Sequence, residues 1–468
     1  MKLRCALFCV LGFSVSLSIT ANAQRRGDVQ LWLTTLDRSA LFAPQSLDLH
    51  FANVTNQLPT IDVQDNQRLQ SIDGFGFALT GGSAELLMLM TPAARSALLS
   101  ELFSTEGTGI GVSYLRISIG SSDMNDHVFS YDDMPAGDTD VDLKKFNLDP
   151  DRTDLIPILR EILAIDPKIR ILGSPWSPPP WMKTNDDSKG GSLKPEYYGV
   201  YAQYFVKYIK EMKVAGVSID AITVQNEPLN PKNNPSMTMF SDEEDAFIRD
   251  DLGPAFQKAG ISTKILLYDH NPDVPSYPLS ILKDPIASKY VDGTAFHLYG
   301  GETSALTMVH DAFPDKNLYL TEQSVTESHS AGGINIAEPV SGVLIAATRN
   351  WSKNVILWNL AADPNDGPHT IGGCPVCRGA ITLAGDHASR LVAYYALAHF
   401  SKFVRPGSVR LGSNDLEQLA NVAFRTPDGK VVLVASNTGN YSKTFNIEYQ
   451  GKIVTTTLTP GAVGSYVW

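Results

Sequence analysis

Eight short apolar runs recur through the middle of the chain, and most end in polar or aromatic residues. They are Ser71–Phe77, Gly111–Ile119, Lys168–Trp176, Ala221–Glu227, Lys264–His270, Gly293–Tyr299, Asn317–Glu322 and Asn354–Asn359. A run that is apolar throughout its body, rather than alternating, reads as a strand buried on both faces of a parallel sheet, and its polar C-terminal end opens on a site. Helical patterns fill the gaps. Tyr201, Ala202, Phe205, Tyr208, Ile209 and Met212 share one helix face. Ser241 followed by Glu244 predicts a capping box, with Phe247, Ile248, Leu252 and Phe256 on the buried face. Eight such units predict an α/β fold, a (β/α)8 TIM barrel. The competing doubly wound open sheet would rarely need eight.

Outside this region the period shortens. From Val409 onward come Asn421–Phe424, Val431–Ala435, Thr444–Tyr449, Ile453–Leu458 and Ser465–Trp468, with the turn Pro427-Asp428-Gly429 between the first two. Alternation also appears at Val29-Leu31-Leu33 and at Ile61-Val63. The expected organisation is an all-β sandwich formed by residues 404–468, joined by N-terminal strands from 24–70, around a catalytic barrel at 71–403. The start has another character: Met1-Lys2-Leu3-Arg4 is basic, Cys5 to Thr20 is almost wholly apolar, and Ala21-Asn22-Ala23 is a small-x-small site. That is the pattern of a signal peptide, residues 1–23, cleaved after Ala23, which predicts a secreted or periplasmic protein with no integral membrane segment in the mature chain.

Composition narrows the partners. A net charge of −12 over 468 residues, with no basic run, argues against nucleic acid, whose binding needs clustered Lys and Arg. Beyond the leader only Cys374 and Cys377 remain, in Gly-Gly-Cys-Pro-Val-Cys-Arg. One C-x-x-C offers two thiolates where a structural zinc takes four ligands, so no metal is expected. In an exported chain a local loop-closing disulfide is the better reading.

Barrel enzymes draw their catalytic groups from the C-terminal ends of strands. Strand four ends Thr223-Val224-Gln225-Asn226-Glu227-Pro228 and strand seven ends Leu320-Thr321-Glu322-Gln323-Ser324. Two carboxylates facing each other across a sugar are the minimum apparatus for glycoside hydrolysis. Asn226 is placed to hydrogen-bond a sugar 2-hydroxyl, and Tyr299, which closes strand six with His297, to hold the nucleophile ionised. Arg116 and Asp123 follow strand two, Trp176 and Trp181 follow strand three, and Trp358-Asn359 closes strand eight. Exposed indoles beside Asp, Arg and Asn suit the apolar faces and outward hydroxyls of a pyranose. Arg116 has a second reading, as a structural partner of Asp269 on strand five.

The runs Asp73-Gly-Phe-Gly-Phe77, Leu115-Arg116-Ile117, Ser174-Pro-Trp-Ser-Pro-Pro-Pro-Trp181, Gln225-Asn-Glu-Pro228, Asp250-Asp-Leu-Gly-Pro254, His297-Leu-Tyr299, Thr321-Glu322, Trp358-Asn-Leu360 and His399-Phe-Ser-Lys-Phe403 resemble, in this order, glycoside hydrolase family 30. The glucosylceramidase-like branch is the nearest match, and the likeness covers nearly the whole mature chain. It implies a barrel with an attached β-sandwich and a retaining double displacement without cofactor. By position, Glu227 matches the acid/base and Glu322 the nucleophile. Arg116, Asp123, Trp176, Asn226, Tyr299 and Trp358 match the glucose-binding set, with His297 beside them. The chain departs from the family in three places: His-Leu-Tyr stands where His-Trp-Tyr is common, the Leu229–Phe240 loop is shorter than in the animal glucosylceramidases, and the cysteine loop is not theirs.

The expected reaction is hydrolysis of β-glucosidic bonds. Glu322 attacks C1, Glu227 is kept protonated by proximity and partial burial, and the carboxyls stand about 5–5.5 Å apart. Glucosylceramide or a related β-glucoside ranks first as substrate and a β-1,6-glucan, cut internally, second. A non-catalytic carbohydrate-binding protein and a metal-dependent hydrolase are the rival readings.

Overall fold

The computed structural model describes residues 27–326 and 333–468; the leader expected at 1–23 lies outside them. Eight parallel strands close into a barrel in chain order, each taking the next as its neighbour. They are Gly74–Ala78, Tyr114–Ser118, Arg170–Ser174, Ala221–Thr223, Lys264–His270, Val291–Phe296, Asn317–Leu320 and Ser352–Leu357. Most are shorter at one or both ends than the apolar runs that predict them. Glu227, Glu322, Trp176 and Trp358 therefore sit just beyond the ends of their strands, at the barrel's C-terminal mouth. The close approach of strands one and two explains a glycine in Asp73-Gly-Phe-Gly-Phe77: a Cβ at Gly76 would lie 1.5 Å from the Tyr114 carbonyl oxygen.

Tyr114, Leu172, Ala221, Leu266, Ala295, Tyr319 and Ile356, one from each of seven strands, form an apolar cluster of their own along the barrel axis. A much larger apolar shell packs the strands' outer faces against the helices, including Tyr198–Val214 with Tyr201, Phe205, Tyr208 and Met212 buried. The helix after strand four begins one residue earlier than its sequence signal. Its N-cap is Phe240, whose amide donates to Glu243 Oε2 at 2.7 Å, so Ser241 and Glu244 do not form the capping box. Glu244 is instead fully buried and accepts from the Tyr268 amide at 3.1 Å, tying this helix to strand five. The same helix passes through a π turn at Phe247–Leu252 before resuming at Gly253.

The second unit is a nine-stranded sheet that interleaves both ends of the chain. Its order is Lys452–Leu458, Lys443–Tyr449, Thr60–Ser71, Val409–Ser413, Leu419–Arg425, Val431–Asn437, Val463–Val467, Val29–Thr34 and Ala43–Leu49. Its strands enclose a core of their own that includes Leu31, Ile61, Leu433, Phe445, Ile447 and Tyr466. His399, on the helix Val392–Ser401, joins this sheet to the barrel: its ring nitrogens meet Thr34 Oγ1 at 2.8 Å and Ser465 Oγ at 2.7 Å. Among the described residues no helix is long and apolar enough to cross a membrane.

Candidate active site

Side chains along a strand alternate between faces, so the residue two beyond each axial apolar residue also points inward. Two beyond Tyr114, Leu172, Ala221, Ala295, Tyr319 and Ile356 stand Arg116, Ser174, Thr223, His297, Thr321 and Trp358. The apolar axis is thus capped, at the mouth, by a polar layer. Strand five breaks the parity. Two beyond Leu266 is Tyr268, but the register shifts there and both Tyr268 and Asp269 adopt positive φ, 77° and 51°. This bulge turns Asp269 into the barrel in place of Tyr268.

Asp269 is fully buried and accepts four hydrogen bonds: from Arg116 Nη2 (2.8 Å), Thr223 Oγ1 (2.8 Å), Thr321 Oγ1 (2.6 Å) and His297 Nε2 (3.1 Å). Burial opposes its ionisation, but the Arg116 and His297 charges beside it hold its carboxyl far below the usual range. Arg116 is equally buried and spreads its guanidinium over Ser174 Oγ (3.1 Å), Glu322 Oε2 (2.6 Å), Asn226 Oδ1 (2.8 Å) and Asp269, with its plane near Trp176. With its donors spent in this way it stands behind Glu322 and does not line the cavity. It pins the carboxylates of Glu322 and Asp269. His297 is likewise fully buried behind the wall.

The two glutamates face each other across the mouth. One carboxyl oxygen of each, together with a His297 ring nitrogen, lies within 4.8 Å of the others. Inverting enzymes hold their carboxyls about 6.5–9.5 Å apart and retaining ones about 5–5.5 Å, so this spacing falls on the retaining side. Glu322 accepts on both oxygens, from Arg116 and from the Tyr299 hydroxyl at 3.0 Å, as an ionised carboxylate does. Glu227 has φ of 45° and an amide bonded to Asp269 O, so strand four's end is bent to aim it at the cavity. Its Oε2 accepts from Asn230 Nδ2 at 2.7 Å, and its Oε1 meets His297 Nδ1 at 3.0 Å.

These contacts set the charge balance of the site. Burial alone would raise Glu227, but the hydrogen bond and charge of His297, with Asn230, bring it down to about 2. Burial would lower His297, yet the charges of Glu322 and Asp269 raise it to about 10. Burial pushes Glu322 up against the pull of His297 and Arg116. His297 and Asn230 thus favour the ionised form of Glu227, and Glu322 with Asp269 favours the protonated form of His297.

Around the glutamates is a cavity of about 640 Å³. Asp123, Trp176 and Trp358, from the ends of strands two, three and eight, line it on one side. The two indoles are buried rather than exposed, with ring centroids 5.6 Å apart. Trp181 is no part of it: it packs in the helical shell and donates to Asp132 O. Asp123 is buried, its Oδ1 has no protein partner, and burial with the nearby Glu322 charge raises its pKa to about 7. The Trp176 Nε1 is also unpartnered. Asn226 shares the lining, its Oδ1 held by Arg116 so that its amide nitrogen is left for a ligand. The rest of the lining comes from the loops after strands four and five, with Leu229, Asn230, Lys232, Asn233, His270 and Asn271, and Asn233 hydrogen-bonds Asp123. Asp269 as a hub, and Asn230 and His270 beside Glu227, were missed as site residues. Asp269-His270 at the end of strand five was the available signal. Cys374 and Cys377 form a disulfide at the rim.

The glycosyl hydrolase family 30 TIM-barrel domain matches residues 72–404, and the beta sandwich domain of the same family matches 407–466. The chain belongs to glycosyl hydrolase family 30. The enzyme is 38% identical over 402 residues to an endo-1,6-beta-D-glucanase of Neurospora crassa, covering 81% of this chain and 82% of the relative. It is 29% identical over 445 residues to the lysosomal acid glucosylceramidase of Mus musculus, covering 89% and 85%. A solved endo-beta1,6-glucanase superposes with a TM-score of 0.87 at 35% identity, over 94% of this chain and 99% of that one.

Proposed function

We propose that this hydrolase cleaves β-1,6-linked glucan by double displacement, with Glu322 as nucleophile and Glu227 as acid/base. The observation that carries the reading is the pair of opposed carboxyls within 4.8 Å, one of them held by Arg116 and Tyr299. Glu322 attacks C1 while the bond to the leaving oxygen breaks and that oxygen takes a proton from Glu227. His297 supplies it. The largest influence raising His297 is the charge of Glu322, and that charge is consumed as the glycosyl ester forms. As that charge is consumed, and before the leaving oxygen is protonated, His297 passes its proton along their shared hydrogen bond to Glu227 Oε1, so that Glu227 holds the proton it delivers and is left ionised for the second step. Water attacks the ester in the second step, and Glu227, now the base, takes its proton.

The leaving-group side favours a sugar over a lipid. Asn230, Lys232 and Asn271 present amide and ammonium groups there, and hydroxyls satisfy these where alkyl chains would strand them. The similarity to endo-1,6-beta-glucanases points the same way, so we place the glucan ahead of glucosylceramide. A start at Gln24 and export to an oxidising compartment fit the Cys374–Cys377 disulfide; N-terminal sequencing of the recovered protein tests that start. For the reaction, NMR of β-1,6-glucan hydrolysis should show the β-anomer of the product appearing first. An α-anomer appearing first would refute retention. Release of glucose from glucosylceramide with the glucan untouched would transfer the same chemistry to the lipid.

A further inference from the structure

The disulfide loop is built into the donor side of the site. It leaves the barrel after Ala361–Ala362 and returns at Ile381–Ala384, where the two segments pair side by side. Between them the chain runs across the mouth as a strap. Thr370 donates its amide to Asp123 O at 2.9 Å and its hydroxyl to Asn234 O at 2.5 Å, while Asn234 Nδ2 donates to Ile371 O at 2.8 Å. It thus ties the loop after strand two to the loop after strand four. At Gly373 the strap lies so near Asp123 that a Cβ would stand 2.5 Å from the Asp123 carbonyl oxygen. Cys374 and Cys377 pack against the cluster of Ala78, Met124, Trp176 and Trp358 and line the cavity themselves.

This placement decides what the strap touches. The glutamates on strands four and seven grip the anomeric carbon, and the leaving group departs past Glu227, Asn230 and His270. The hydroxyls at the far edge of the ring therefore meet the wall from strands two, three and eight. Two unpartnered polar atoms wait there, Asp123 Oδ1 and Trp176 Nε1. Neither group is fixed by its own strand alone: the Asp123 main chain hangs from Thr370, its side chain meets Asn233 on the loop that the strap ties down through Asn234, and the indole pair is backed by the disulfide.

We infer that the Cys374–Cys377 strap determines donor-sugar specificity, holding Asp123 and the Trp176–Trp358 pair in register with the hydroxyls distant from the anomeric carbon. The inference rests on the glycosidase reading above. A disulfide that merely closes a surface loop would leave sugar recognition unchanged when opened, whereas a positioning strap would not.

The test compares native enzyme with enzyme reduced by dithiothreitol, and with Cys374→Ser/Cys377→Ser, on aryl β-glucoside and aryl β-galactoside, which differ only at C4. Thiol alkylation verifies the opening, and circular dichroism sets an assay temperature at which each form is folded. We expect KM for the glucoside to rise about tenfold, kcat to change less than about threefold, and the preference for glucoside over galactoside to fall about tenfold. Unchanged constants with both thiols free would overturn the inference. So would an equal loss of kcat on both donors with KM unmoved. If the double variant does not fold, the reduced native enzyme carries the comparison. An oxidised enzyme inactive on every β-glucoside would instead sink the glycosidase reading.

Discussion

Replacing Asp269 by asparagine keeps the volume of the side chain and removes its charge. Asp269 Oδ2 serves Arg116 and Thr223, and Oδ1 serves Thr321 and His297. An asparagine amide must put its NH2 at one of these positions. Facing Arg116 it would set donor against donor, so it turns toward Thr321 and His297. Thr321 can then accept, because its hydroxyl also has Phe296 O within 3.2 Å. His297 can accept on Nε2 only by becoming neutral, with its remaining proton on Nδ1. Removing one partner of a buried ion pair costs about 3–5 kcal/mol. Because Glu322 still balances Arg116, we expect the lower end, about 3 kcal/mol, and, for a chain of this length, a fall in Tm of roughly 3–4 °C. His297 loses one of the two charges that raise it, so its pKa drops and the basic limb of the kcat/KM profile moves to lower pH. The rate on an aryl β-glucoside with a poor leaving group should fall about a hundredfold, near 2.7 kcal/mol of transition-state stabilisation. Thermal unfolding and a pH–rate profile measure both effects. A variant with wild-type kcat/KM and an unmoved basic limb would refute the idea that Asp269 acts through His297.

Tyr299→Phe removes the hydroxyl donated to Glu322. A hydrogen bond to a charged group contributes about 1.5–3 kcal/mol, so kcat/KM should fall by roughly 10–150-fold with little change in Tm. Folding raises His297 from its ordinary 6.5 to about 10, so its protonation favours the folded state. That stabilisation is complete below about pH 6.5 and is lost as pH climbs toward 10. Tm should decline over that window and decline less in His297→Gln; parallel slopes would count against the assignment. His399 is the opposite case, because burial lowers it to about 3. The unfolded chain takes up its proton first as pH falls below 6.5, and stability drops from there toward pH 3. His399→Ala should cost about 2–4 kcal/mol at pH 7 through the lost Thr34 and Ser465 bonds and the cavity left behind, and should flatten that acid slope in denaturant titrations.

The fold was legible because the barrel imposes local rules. A strand buried on both faces must be apolar along its body, and its partner helices must carry one apolar stripe. Eight such runs, with Glu227 and Glu322 at the ends of the fourth and seventh, therefore place two carboxyls at one mouth. The same logic failed where a contact depends on geometry with no local pattern. Trp181 and Trp176 sit five residues apart in one Pro-rich stretch, yet one packs in the helical shell and the other lines the cavity. Ser241 and Glu244 have capping-box spacing, but the chain starts its helix at Phe240 because Glu244 is drawn into the interior by the Tyr268 amide.

The sequence by itself determined the architecture, the family and the two glutamates, since each is written in spacing along the chain. Tertiary structure decided the electrostatics. The bulge at Tyr268–Asp269 reverses which residue of strand five faces inward, and only that reversal brings Asp269 under both Arg116 and His297. A proton's position among Glu227, His297 and Glu322 is a sum of charges and burial over groups from five strands, scattered between Arg116 and Glu322 in sequence. No periodicity records such a sum. It exists only when the barrel closes.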